Sequence, residues 1–280
     1  ALWRRLQGHR LLDAAAAIEV LRVGPRSLPF SVSAWLERLA DRLVLQFFAG
    51  TAVVGVYSVG YALGERIIGS LVQAVFMMAW PRILAAWNEG GPTAARHAIA
   101  DAQRLYAWIT VGPAVFLAVF GVPFTRWIAG PAYHDAATVV PTITVAIWLG
   151  GFGSYLNRHL ELTKRFGVLS GVSLAGAGVN VILNVLLVPP FGMEGAALAT
   201  LANYAFNATV FYVLRDRQIS ALHLAPFARA GGASAVAVAV GVGALGGGWP
   251  GMAAFVTVYL VSFVLALVRR GSAAAREDLG

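Results

Sequence analysis

Along the chain, apolar runs of about 20 residues recur with short breaks, the length one helix needs to cross the hydrocarbon of a bilayer. The runs lie at about 28–50, 52–80, 102–121, 136–156, 167–188, 193–214, 226–246 and 250–268. They predict an all-α integral membrane protein, a polytopic helical bundle of about eight transmembrane helices. The second run continues through Trp80 and Pro81 to Trp87. At 1.5 Å per residue that exceeds the hydrocarbon, so its end projects into water, and Pro81 is a place for a kink or a stop. The expected organisation is a linker or amphipathic segment at 1–27, a six-helix bundle at 28–214, two additional helices at 215–270 and a tail at 271–280.

The first run breaks the pattern. Leu28 to Gly50 carries Glu37, Arg38, Asp41 and Arg42 near its middle. Its large apolar residues favour insertion by about 5 kcal/mol in all, whereas four central charges oppose it by roughly 10 kcal/mol or more. At 100° per residue the four ions share an arc of about 140°, with Leu36, Leu39, Leu43 and Phe47 facing away. This polar wall must face protein or a wet cavity. Arg38 and Asp41 stand one turn apart and can pair locally; Glu37 and Arg42 then need partners elsewhere, and Glu65 and Arg66 in the next run are the nearest candidates. Two readings fit equally: ions that lock helices together, or a polar pathway through the membrane.

Apolar residues make up 59% of the 280 and charged residues only 12%, with a mean hydropathy of +0.72, which excludes an ordinary soluble domain. Seventeen of the 21 lysines and arginines fall on one set of alternate loops and the ends: Arg4, Arg5, Arg10, Arg22 and Arg26; Arg82, Arg96 and Arg104; Arg158, Lys164 and Arg165; Arg215, Arg217 and Arg229; Arg269, Arg270 and Arg276. The other loops hold only Arg126. This asymmetry puts both ends in the cytoplasm and accounts for the net charge of +8 without nucleic acid. The outer loops are terse, and only Phe124 to Asp135 is longer, with Trp127 and Tyr133 suited to an interfacial belt. The chain starts at Ala1, and its first 25 residues lack a signal-type apolar core, so we read it as a piece of something longer.

Within the spans, Gly60 and Gly64, and again Gly171, Ala175, Gly176 and Gly178, permit close helix packing inside one bundle in preference to dimerisation. Pro113 and Pro141 offer hinges where neighbours satisfy the freed carbonyls. Asn180 and Asn184, and Asn203 and Asn207, each stand one turn apart, as glue between helices or as contacts for a sugar or diphosphate headgroup. With no cysteine, histidines at scattered positions and no phosphate-binding loop, no metal, cofactor or ATP-driven engine is indicated. The loop carboxylates, Asp13, Glu19, Glu89, Asp101, Asp135, Glu161, Glu194 and Asp216, are isolated, which disfavours a membrane-embedded glycan-processing enzyme.

Two runs support a family resemblance. Ala40 to Leu45 (ADRLVL) followed by Gly50 to Val59 (GTAVVGVYSV), and Gly178 to Pro189 (GVNVILNVLLVP) followed by Phe191 to Thr200 (FGMEGAALAT), resemble signatures of bacterial polysaccharide transporters. These are the lipid-linked oligosaccharide and O-antigen flippases of the multidrug, oligosaccharidyl-lipid and polysaccharide exporter superfamily. The resemblance implies that this chain is the second bundle of such a transporter plus two extra helices, with the first, N-terminal bundle missing. It implies a polyprenyl-diphosphate-linked substrate moved across the cytoplasmic membrane of a bacterium by alternating access, and no enzymatic activity. Polysaccharide polymerase and glycosyltransferases are implied partners. By position Arg38, Arg42 and Arg66 are the candidates for holding the diphosphate, as paired donors to phosphate, with Asn180 and Asn184 for the headgroup. Glu37, Asp41 and Glu65 would balance them, and one could carry a coupling proton if burial raises its pKa. A cation-coupled exporter of small drugs from the same superfamily is the alternative; it expects an acidic cavity, whereas three arginines suit an anionic cargo.

Overall fold

The computed structural model describes residues 39–220, 222–246 and 248–277, together with Val32, Trp35 and Glu37. Among the described residues every regular element is helical. Helix α1 covers 39–49, and α2 (Thr51–Gly64) passes through a π turn, Glu65–Gly69, into α3 (Ser70–Ile128). A 3-10 helix, Pro131–Thr138, precedes α4 (Val140–Leu156), the short α5 (Arg158–Leu162) and the long α6 (Phe166–Leu214). Helix α7 (Ala225–Val238) ends in a second π turn, Ala239–Ala244, and α8 (Trp249–Glu277) closes the chain.

Two of these helices are hairpins. Gly91 in α3 (φ 66°) and Gly192 in α6 (φ 55°) sit in the left-handed region, where a side chain would be strained, and each reverses the chain. In α3 the reversal brings Val75, Ala79 and Ile83 against Ala95, Ile99, Ala102 and Tyr106. In α6 it brings Gly195 so close to Leu187 that a Cβ would overlap the Leu187 carbonyl. Taken as two arms each, these hairpins with α4, α7 and α8 match seven of the eight predicted spans, and α1 matches the end of the first, most of whose earlier part lies outside the described residues. By length and apolarity, Thr51–Ile128, Phe166–Leu214, Ala225–Gly243 and Trp249–Ala266 could cross a membrane, and the 3-10 helix with α4, bent by 52°, makes a fifth.

Several expectations are corrected. The helix entering at Thr51 does not stop at Pro81 but runs to the Gly91 break, about 60 Å at 1.5 Å per residue and twice the hydrocarbon thickness. Phe124 to Ile128 are helical, so the long outer loop shrinks to Ala129 and Gly130 and the 3-10 helix. Pro141 lies in the first turn of α4, where its missing N–H costs nothing, and not at a mid-helix hinge. Near Pro113, the Tyr259 hydroxyl donates to the Trp108 carbonyl at 2.7 Å, and its ring fills the place of a Cβ on Gly112. That contact, with Phe116 and Phe120 against Phe255, fastens α8 to the second arm of α3.

The small residues act inside the bundle. A Cβ on Gly60 would lie 2.6 Å from the Ala136 carbonyl oxygen, and one on Gly64 3.1 Å from Ile143, so α2 lies directly on the 3-10 helix and α4. Gly176 packs against Asn203 and Asn207, whereas Gly171 and Gly178 meet nothing within 4 Å. Substitutions should separate the two classes. Gly195→Val forces backbone against backbone and is expected to cost about 3 kcal/mol or more, whereas Gly178→Ala is neutral or slightly stabilising through helix propensity. Thermal unfolding in detergent checks this, and equal Tm values for the two variants would contradict the hairpin contact.

Candidate functional site

The site grows from α1. Its ionic face turns inward: Leu43 and Phe47 are exposed, 60% and 83%, whereas Asp41 is 2% exposed. Gly50 (φ 84°) folds α2 back alongside α1, and the α6 hairpin closes the other side. Three neutral donors converge on the Asp41 carboxylate. Tyr57 on α2 donates its hydroxyl at 2.8 Å, Asn184 on the first arm of α6 its amide at 2.7 Å, and Thr200 on the second arm its hydroxyl at 2.7 Å. A carboxylate accepts hydrogen bonds at both oxygens, so this set satisfies the ionised form in a place where an unpartnered charge would be prohibitive. Asn180 and Asn184 are themselves buried and bonded to each other, the Asn184 amide reaching the Asn180 side-chain oxygen at 3.2 Å. Asn207 donates to Asn203 at 3.0 Å.

Arg42 is half-buried beside this cluster. Its Nε lies 3.4 Å from the Ser58 hydroxyl and its guanidinium stands 5.3 Å over the Tyr61 ring. Glu65 is half-buried in the π turn, and Arg66 is exposed there. Glu37 faces an interior cavity described below. Arg38 lies outside the described residues. The structure thus joins Asp41, Asn180 and Asn184, sets Arg42 beside them, and puts Arg66 on the outer surface of its helix.

A second polar group was not foreseen. The sequence puts Arg158 and Glu161 in a loop, but they occupy α5, where Arg158 is 5% exposed and bonds Glu161 at 2.5 Å. The guanidinium also stands 4.6 Å from the Phe76 ring and 5.2 Å from Trp80, two stacked rings on α3. The one sequence signal was the spacing of Arg158 and Glu161, one helical turn apart. α5 lies in the connection between α4 and α6. Burial pushes the Glu161 carboxyl up against the opposing pull of Arg158, and lowers the Arg158 guanidinium and the His159 imidazole from their ordinary values. Behind this pair lies a cavity of about 520 Å³ that reaches Glu37, four residues before Asp41, Gln73 on α3 and Tyr204 and Asn207 on α6.

If Asp41 ties α1 to α2 and α6, removing it strands its donors unequally. Thr200 also bonds the Ala196 carbonyl and Asn184 the Asn180 carbonyl, so Tyr57 is the donor left most exposed to the loss. Asp41→Ala is expected to destabilise the protein by about 2 kcal/mol, and Tyr57→Phe in that background to cost less than it does alone. A double-mutant cycle on thermal stability measures this; strictly additive effects would remove the Asp41 to Tyr57 bond from the stabilising set.

No family profile matches the chain. It is 26% identical over 165 residues to the "Uncharacterized membrane protein MJ1068" of Methanocaldococcus jannaschii, covering 59% of this chain and 32% of that protein. It is 22% identical over 185 residues to the "Probable low-salt glycan biosynthesis flippase Agl15" of Haloferax volcanii, covering 66% of this chain and 39% of that one. The "Probable flippase AglR" of the same organism is 23% identical over 190 residues, with 62% and 38% covered. The chain therefore spans between a third and two fifths of the length of the curated relatives it matches. Among solved structures, an outward-facing multidrug resistance MATE family transporter of the MOP superfamily is 19% identical, with a TM-score of 0.49 over 87% of this chain and 64% of that one. By sequence, the chain is a relative of proteins named as flippases, in agreement with the polysaccharide-transporter resemblance of its two motif runs.

Proposed function

We propose that this chain is the C-terminal bundle, with two additional helices, of a transporter that flips a lipid-linked oligosaccharide of polyprenyl-diphosphate type across the cytoplasmic membrane. The remainder of the transporter completes the translocation pathway, and both ends of this chain lie in the cytoplasm. The observation that carries the reading is Arg42, half-buried within a bilayer-crossing bundle and set against a satisfied carboxylate, in a chain whose relatives bear flippase names. Its guanidinium stands over the Tyr61 ring, and a guanidinium is the side chain whose geometry matches phosphate oxygens in pairs. Arg38 and Arg66 complete the set of diphosphate candidates, Arg66 from the outward side of the π turn. Asn180 and Asn184 are committed to Asp41 and to each other, so they support the site and leave headgroup contact to the arginines. Asp41, with Glu37 and Glu65, balances the arginines when cargo departs and supplies the carboxylate for a coupling proton.

The test is export of surface polysaccharide by cells carrying variants of the full-length protein. Arg42→Ala is expected to abolish export at normal protein abundance, and Arg42→Lys to retain a reduced level, since lysine keeps the charge and loses the paired donors. Unchanged export in Arg42→Ala at normal abundance would take Arg42 out of the mechanism.

A further inference from the structure

Polar side chains recur between Asp41 and the α5 connection. Thr200 and Asn184 touch Asp41, and further along the α6 hairpin Asn203 and Asn207 face Gly176. Asn207 and Ser173 then open onto the cavity, which Glu37, one turn from Asp41, also lines, and which ends at Asn157, Arg158 and Glu161. Several buried polar atoms along this file have no hydrogen-bond partner among the described residues: Asn184 Oδ1, Asn203 Nδ2, Asn207 Oδ1, Asn157 Oδ1 and Arg158 Nε. Buried polar atoms of that kind are served by internal water, and a cavity of about 520 Å³ has room for on the order of ten waters.

We propose that this file is an aqueous access route, entered at the Arg158–Glu161 pair and leading through the cavity towards Asp41. Its charged lining is Glu37, Arg158 and Glu161, the last two bonded to each other. Tyr204 is its inner plug. Its ring packs against Gly150, where a Cβ would lie 3.1 Å away, and its hydroxyl shares a hydrogen bond with Tyr61, whose ring neighbours that of Tyr57 at 5.9 Å. Tyr57 in turn holds Asp41. Use of the route to supply a coupling proton rests on the function proposed above; its hydration does not.

These 280 residues contain no cysteine, and any cysteine in the rest of the full-length protein is replaced by serine before the test. In the full-length protein, Ser173→Cys and Ser154→Cys place thiols on the cavity wall, and Ser234→Cys, buried in α7 away from it, serves as control. A small, cationic, membrane-impermeant thiosulfonate is applied to vesicles of each orientation. The expected result is labelling of positions 173 and 154 at least tenfold faster than 234, from the membrane face that carries the α4–α6 connection. Labelling at the control rate, or only from the opposite face, overturns the route. Hydroxyl-radical footprinting of the unsubstituted protein gives a second reading: Phe76 and Tyr204 should be oxidised well above Phe255, and equal oxidation counts against it. Neither measurement depends on transport, so an inactive flippase with a labelled cavity refutes the functional reading and leaves the route standing.

Discussion

The bond between a carboxylate on α1 and three neutral donors on α2 and both arms of α6 is the constraint on which the bundle turns. Left in lipid, α1 carries more charge than its apolar residues can compensate. Asp41 removes part of that burden by finding Tyr57, Asn184 and Thr200, donors that come from as far as 159 residues along the chain. Membrane hydrogen bonds are individually modest, often below 1 kcal/mol, so it is the convergence of several on one buried ion that matters. The consequence is an assembly in which α1 is held through the α6 hairpin.

Close backbone approach makes that convergence possible. Gly60 and Gly64 let α2 lie directly on the 3-10 helix and α4, and Gly176 and Gly195 let the two arms of α6 nearly touch. In hydrocarbon there is no hydrophobic force between helices, and dispersion between closely approached backbones takes its place. Once the arms of α6 meet, Asn184 and Thr200 are presented side by side. The same closeness aligns Asn203 and Asn207 with the cavity wall, so packing and polarity are one design. Helix α8 is held to the second arm of α3 by Phe255 against Phe116 and Phe120, and α7 by Phe227 against Tyr106.

Arg158 shows how a charge can serve two accounts. Counted by position, it belongs with the basic residues from which the sequence predicts an orientation. Placed by the fold, it is enclosed by Glu161, Phe76 and Trp80 and closes one end of the interior cavity. The predicted orientation does not rest on it alone, since many other arginines share that side, whereas the cavity is lined by this one buried pair.

Local pattern alone determined the helical class, the membrane setting, most of the approximate spans, the inward turn of Asp41 and the close packing at Gly60 and Gly64, because span length, hydrophobic periodicity and the absence of a Cβ act within one or two turns of helix. The chemistry of Asp41, Asn180 and Asn184 was legible as residue type but not as a partnership. Only the tertiary structure decided that Asn184 and Thr200 meet Asp41, that Arg66 faces outward, that the helix runs past Pro81 to Gly91 and that Arg158 is buried. Each of those outcomes is set by contacts between segments tens to more than a hundred residues apart, whose distances no run of sequence encodes by itself.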